Sequence, residues 1–417
     1  MKKNIQNLKF LFFIAIVIVS LSSCKDEVVK TFTYHTQTPY YLSVADIRQM
    51  VVAEETPRAI AAPGKIYIYN DFLFVSEPNK GIHIIDNNNP AKPQFISFIN
   101  IPGTADLAIN NNVLYADSYI DLLAFDITNP RDVKLVKRVE DVFENLYINK
   151  EKGMVLGYKD TIITYTQNSG DIYHNGRGEM FTLTNSFSSN AKASYGTGGS
   201  TAKFTLQNSS LYTVDNNSLK TFNVSDEKNP AFVKTINLGF GIETIFPYND
   251  KLFIGSTTGM HIYDASNPLS PKKLSIYQHV TSCDPVVVQG KYAYVTLRSG
   301  NFCRQGVNLL EVIDIEDATK PKLISSFPMI NPHGLSIDGG NLYICEGLSG
   351  LKAFDSSNIY NIGQKQLSFI KGFEAIDVIA GPKSLIVTGK DGVYQFDYSN
   401  PANLIQLSRI NIDSDYQ

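Results

Sequence analysis

The chain has 417 residues, 43% of them apolar and 11% aromatic, so it can bury a large core, and length alone suggests two or three ordinary domains. Its 23 Tyr and 24 Phe, with many Val and Ile and no Trp, are a strand-forming inventory. The formal charge of −3 becomes −6 once Lys2, Lys3 and Lys9 leave with an export segment, which excludes a surface basic enough to track nucleic acid.

Residues 1–23 place those three lysines ahead of an apolar run, Phe10 to Val19, and the small residues Ser20, Ser22 and Ser23. A basic head, a short apolar middle and small residues before a cut make an export signal, since a spanning helix needs about 20 apolar residues. The ending Leu21-Ser22-Ser23-Cys24 resembles the lipobox of bacterial lipoproteins. That resemblance implies that Cys24 becomes the acylated first residue, a palmitate-type anchor in a membrane. Lys25-Asp26-Glu27 is similar to the short acidic signal that sends lipoproteins of Bacteroidota-type bacteria to the outer face of the outer membrane. Residues 24–62 then read as a lipidated tether. TFTYHTQTPYYLSV is extended, Val44 to Val52 suits one or two helical turns, and the tether is placed to pack on the following domain and lend it a strand.

From residue 63 to 417 one phrase keeps returning. GIHIIDNNNP (Gly81 to Pro90) has kin in DLLAFDITNP, MHIYDASNP, LLEVIDIEDATKP, LKAFDSSN and VYQFDYSNP, with a looser copy in LKTFNVSDEKNP. The residue closing each strand falls at Asp86, Asp126, Asn223, Asp264, Asp314, Asp355 and Asp397, with Thr166 in the gap. The intervals are 40, 40, 57, 41, 50, 41 and 42 residues. A unit of about 40 residues built of four short strands predicts an all-β protein, a β-propeller with four antiparallel strands per blade. The turn chemistry agrees, because Asp or Asn can bond the backbone two residues on and Pro cannot continue the ladder. Eight first strands favour eight blades; the rival is a seven-bladed ring with the degenerate third segment reassigned. In that segment Glu179 to Thr184 could supply a fourth strand, followed by a long Gly/Ser/Asn-rich loop from Asn185 to Gly199.

LLAFDITNP, LLEVIDIEDATKPKLISSF and MHIYDASNP resemble the LVIVD repeat of secreted and surface proteins of bacteria and archaea. The likeness runs from about Pro63 to Ile412 and implies a β-propeller outside the cell with no agreed reaction. Since a propeller hosts many activities, function has to be argued from the site.

Apart from Cys24 there are Cys283, Cys303 and Cys345, in a chain expected to leave the reducing cytosol. Cys283 opens a first strand and Cys303 lies in the loop between strands two and three of the same segment, which share one face of a propeller. A disulfide between them is expected, worth about 3 kcal/mol on the chain-entropy model. Cys345, within LYICEG, reads as a buried small side chain.

Aligning the segments on their second strands puts Glu144, Glu243, Asp284 and His333 at the entry to strand one, with Asp106, Lys203 and Asp377 one residue further in. First strands line a propeller's channel, so these residues should ring one mouth of it. The loops between strands two and three add Glu77, Asp117, Arg298 and Glu346. Such an acidic ring suits a cation, an amine or a hydroxyl-rich ligand. Ca²⁺, which takes about six to eight oxygens, is the cofactor such a ring would accept, and nothing else calls for one.

No nucleophile elbow, HExxH, P-loop or paired Cys-x-x-Cys accompanies the ring, so no catalytic residue is assigned. The first expectation is therefore a monomeric, surface-displayed binding module for a protein or glycan partner, not an enzyme. An enzyme acting on glycan or peptide at Asp284 and His333 is the first alternative, and a structural subunit of an outer-membrane assembly the second.

Overall fold

The structure is a computed structural model that describes residues 30–144, 148–149, 151–167, 197–278, 285–299 and 307–413. Two compact units are present: one comprises Met1–Arg48 and Tyr147–Asn185, the other Gln49–Leu146 and Ser186–Gln417. Eight antiparallel sheets form, one for each segment, and the described residues include only one short α-helix, Val44–Gln49, and one 3-10 turn.

In the larger unit the four strands of each segment lie side by side in sequence order. The first segment shows the pattern, with strands Ile66–Tyr69, Phe72–Glu77, Gly81–Asp86 and Gln94–Asn100. The inner three strands are buried on both faces, because each sheet is packed between two neighbours, whereas outermost strands such as Ala231–Asn237 are mostly exposed. Burying one Ile or Phe stabilises by about 1.5–3 kcal/mol, and every segment contributes several.

The repeated turn behaves as its chemistry predicts. Asp86, Asp126, Asn223, Asp264, Asp314, Asp355 and Asp397 each accept the backbone N–H two residues on, at 2.8–2.9 Å. The turn then makes a contact that the repeat did not announce. The carbonyl of the fourth residue after the closing Asp or Asn receives a hydroxyl from the preceding sheet. Ser97 donates to Pro130, Ser275 to Ala318, Ser325 to Ile359, Ser368 to Pro401 and Ser408 to Pro90, all at 2.6–2.7 Å. Where the outermost strand lacks that serine, a tyrosine of the second strand takes over: Tyr115 donates to Glu227 and Tyr212 to Pro268. These serines lie beside a bulge between strands three and four that recurs in all seven sheets.

Seven such junctions close a ring, and the Tyr115 bond joins segment two directly to segment four. Eight sheets thus form, as favoured, seven of them joined in this cycle and the sheet of segment three in the other unit. There the third segment forms one long strand, Gly153–Gln167, paired with Lys30–Leu42 and with Ile148–Asn149. The physical reason is local: this segment has Thr166 where the others carry Asp or Asn, and no Pro follows, so the turn that feeds a fourth strand cannot be built.

The tether does lend a strand, but at the rim. Ala53–Glu55 pairs outside Gln94–Asn100, and the sheet of segment one becomes six-stranded with Thr197–Gly198 on its inner edge. Ile60 bridges Ile412. Between segments eight and one, Asn87 and Gln395 exchange two amide hydrogen bonds, at 3.0 and 2.7 Å. The strand predicted at Glu179 to Thr184 lies outside the described residues.

Candidate functional site at the axial mouth

In each antiparallel four-stranded sheet, the start of strand one, the end of two, the start of three and the end of four lie at one end. Of the polar residues expected there, Asp106, Lys203, Glu243, Arg298, His333, Glu346 and Asp377 lie at that end.

Asp106 and Asp377 are brought together, but not as an open site. Thr197–Gly198 adds to the inner edge of segment one, opposite Ile68 and Tyr67, and the chain continues across the mouth. Ser200 Oγ donates to Asp377 at 3.1 Å and accepts Leu335 N at 2.7 Å, while Thr201 Oγ1 donates to the other Asp377 oxygen. Lys65 Nζ donates to Thr201 O at 2.7 Å, Ile245 N to Ala202 O at 3.1 Å, and Lys203 N to Asp106. Five ring segments thereby hold four consecutive residues. Close approach demands glycine at two places, since a Cβ on Gly199 or Gly334 would stand 1.6 or 2.2 Å from an Asp377 oxygen.

The charges beneath this strap are buried, Asp106 being 2% and Asp377 4% exposed. Burial pushes both carboxyls up, and Lys65, Lys203 N–H and the two hydroxyls pull them back. Burial lowers Lys65 in turn, against the attraction of Asp106 and Asp377. Asp117 accepts Ala105 N at 2.8 Å and Asp106 N at 3.0 Å, so it shapes the turn into segment two.

Glu346 is fully buried and works as a clamp. One oxygen accepts Lys352 Nζ at 2.6 Å, and the other accepts Ile330 N at 3.0 Å and Asn331 N at 2.6 Å. His333 is half-buried, its N–H bonded to Cys345 O and its carbonyl to Thr296 Oγ1, each at 2.7 Å. Burial first, then Arg298 and Lys390, holds its imidazole at about 3, so it is neutral at ordinary pH and a feeble base. Arg298 is half-buried, lowered by burial and supported by the charge of Glu243. Burial pushes Glu77 up, but His83, Lys80 and Arg58 outweigh it and hold the carboxyl at about 2.

Glu144 is exposed at the end of segment two and enters no ring strand, because segment three supplies none. Asp284 and the expected Cys283–Cys303 disulfide lie outside the described residues. Cys345 is buried and free, as its apolar setting predicted. Among the described residues no group of three or more His, Cys, Asp or Glu side chains is arranged to hold a metal ion.

Sequence reading missed the occupants of the mouth, Ser200 to Lys203, and the apolar side chains around it. Leu348 is 80%, Ile330 50% and Val307 43% exposed, all on loops at this end. Ile330 is tied to Glu346 through its N–H and to Asn308 through its carbonyl, at 2.7 Å. Ile330 and the loop bearing Leu348 are therefore joined through Glu346.

Ring, turns and axial mouth together define a β-propeller. No protein-family model matches the chain, and no curated protein matches it. In fold it is similar to a functionally unknown protein from Desulfotomaculum acetoxidans, with TM-score 0.52 and 12% identity over 82% of this chain and 95% of that one. It is likewise similar to Saccharomyces cerevisiae Sqt1, with TM-score 0.52 and 9% identity over 87% and 88% of the two chains. BamB from Moraxella catarrhalis aligns at TM-score 0.46 and 8% identity, over 88% and 96%. At these identities the likeness is one of fold.

Proposed function

We propose that this protein is a binding module of LVIVD-repeat type, anchored through acylated Cys24 on the outer face of an outer membrane, that presents the Val307–Ile330–Leu348 surface to a protein partner. The observation that carries this reading is the Glu346 clamp. It fixes the Ile330 link to the loop bearing Leu348, so the backbone that carries two exposed aliphatic side chains is set before any partner arrives. A preorganised apolar surface leaves little ordering entropy to lose on binding, and an Arg, a residue enriched where interfaces concentrate their energy, belongs to the same end. A glycan would want aromatic stacking surfaces, and Val307, Ile330 and Leu348 are aliphatic.

The axial mouth supports the same reading. Among the described residues Asp106, Asp117, Glu346 and Asp377 are spent on the chain's own N–H, hydroxyl and ammonium groups, and His333 is a weak base. Binding at the rim, without catalysis, is what these residues favour.

Two experiments test the reading. Whole cells treated with a short amine-free crosslinker should give one discrete adduct of the wild-type chain, lost in Ile330→Asp/Leu348→Asp while the melting temperature stays within a degree or two. An unchanged adduct in that variant removes the surface from the proposal. For the anchor, fatty-acid labelling should mark the wild type and not Cys24→Ala; equal labelling, or none in either, contradicts it.

A further inference from the structure

The smaller unit carries an apolar feature that the rim does not use. Its ribbon pairs Lys30–Leu42 with Gly153–Gln167, and apart from Lys30 at the very end its charges lie in one half. From Thr31 to Thr36 and from Thr161 to Gln167 there is no Asp, Glu, Lys or Arg. In the other half lie Glu151, Lys152, Lys159 and Asp160, with Gln37 donating to Asp160 at 3.3 Å and Lys152 set over the Tyr41 ring. In the uncharged half, Phe32 is 39%, Tyr34 48%, Ile163 36% and Ile162 61% exposed. Register places Tyr34 opposite Ile163 on one face and Ile162 opposite His35 on the other, so the apolar groups wrap both sides of the tip.

We infer that this uncharged tip, Thr31–Thr36 against Thr161–Thr166, is a second membrane contact that seats in the interface of a lipid bilayer. The inference rests on the acylation of Cys24. Seven residue-to-residue steps lead from Cys24 to Thr31, and at no more than about 3.5 Å each they keep this end of the ribbon within about 25 Å of the anchored position. Apart from Lys30 at its end, the half of the ribbon nearest the anchor carries no charge, which is the order a bilayer selects. Aromatic and β-branched side chains suit the headgroup level, where Phe and Tyr bury their rings and a phenol stays wet. Lys30–Leu42 is an edge strand, and its outer N–H and C=O groups need water, so the seat is shallow and the ribbon does not span.

The test uses the polypeptide from Lys25 onward, without lipid, floated with vesicles of phosphatidylethanolamine and phosphatidylglycerol. The wild type should float, and Phe32→Ser/Tyr34→Ser/Ile162→Ser should partition at least tenfold less. Phe32→Leu/Tyr34→Leu should restore flotation, and Tyr40→Ser/Tyr158→Ser in the charged half should leave it unchanged. A wild type that stays in the aqueous fraction overturns the inference, as does equal flotation of the triple variant. A lipid-free dimer that the triple substitution converts to monomer, with no flotation, assigns the tip to a second copy and overturns it too. The anchor is read separately, from the mass of the Cys24 peptide of membrane-extracted protein. An unmodified Cys24 with a floating chain sinks the anchor alone, and an acylated Cys24 with a non-floating chain sinks the tip alone.

Discussion

Ser408, in the last strand of the ring, donates its hydroxyl to the carbonyl of Pro90 in the first repeated turn, at 2.6 Å, and so ties the end of the propeller to its beginning. Six other junctions use the same carbonyl position, which makes the ring a cycle of equivalent bonds. A single net hydrogen bond is worth about 1 kcal/mol, with a larger penalty if the acceptor stays dry. Ser408→Ala should therefore cost about 1–2 kcal/mol in urea unfolding, and Ser97→Ala, at an internal junction, about the same.

The strap across the axis should matter more than its length suggests. Gly199→Ala drives a methyl into Asp377, and overpacking of this kind costs about 1–3 kcal/mol. Thr201→Val, nearly isosteric, removes only the hydroxyl bond to Asp377 and should cost less. Thermal melts of the two variants check the order, and equal melting temperatures would show that the strap is not held as described.

Glu346→Ala leaves the Lys352 ammonium buried without its carboxylate and orphans two N–H groups. Removing one partner of a buried ion pair costs about 3–5 kcal/mol, so this variant should fall hardest among single substitutions at the mouth. Glu346→Gln keeps an acceptor and should lie between wild type and Ala. Because the clamp positions Ile330, partner binding should weaken in Gln before stability is lost.

His261 gives a pH dependence with a definite sign. It is buried with Nδ1 unpartnered, and burial, then Lys273, depresses its imidazole to about 4 from the ordinary 6.5. Below 6.5 the unfolded chain takes up a proton that the folded one refuses, so stability is lost as pH falls from 6.5 toward 4. His261→Leu removes that loss. Its melting temperature relative to wild type should rise between pH 7.5 and pH 5, and a pH-independent difference would contradict the assignment. Comparing the two proteins cancels the opposite drift from Asp106, whose carboxyl is raised.

Much of the fold was legible because its signals are local. The interval between Asp86, Asp126 and their kin gave the repeat, and the N–H bonded two residues on explains why Asp or Asn is needed there. The serines at the bulges, Ser97, Ser275, Ser325, Ser368 and Ser408, were also in plain sight. Four of them recur 11 residues after the closing Asp and Ser368 at 13, which could have predicted the junctions, and their absence from segments two and four the tyrosine substitutes. The departure of segment three was signalled by Thr166, but its pairing with Lys30–Leu42 was not, because partner choice between distant strands leaves no local mark. The site was half legible. Alignment put Asp106 and Asp377 at the mouth, yet no spacing could show that Ser200 and Thr201 would come back to occupy them.

The central claim is that recognition happens at the end of the ring bearing Leu348. A photo-crosslinking residue placed at Leu348, 80% exposed, can be compared with one at Tyr360, 70% exposed in the turn between strands three and four and hence at the opposite end. In intact cells the account predicts one discrete adduct from position 348 and none from 360. Adducts from 360 alone, or equally from both, would contradict it.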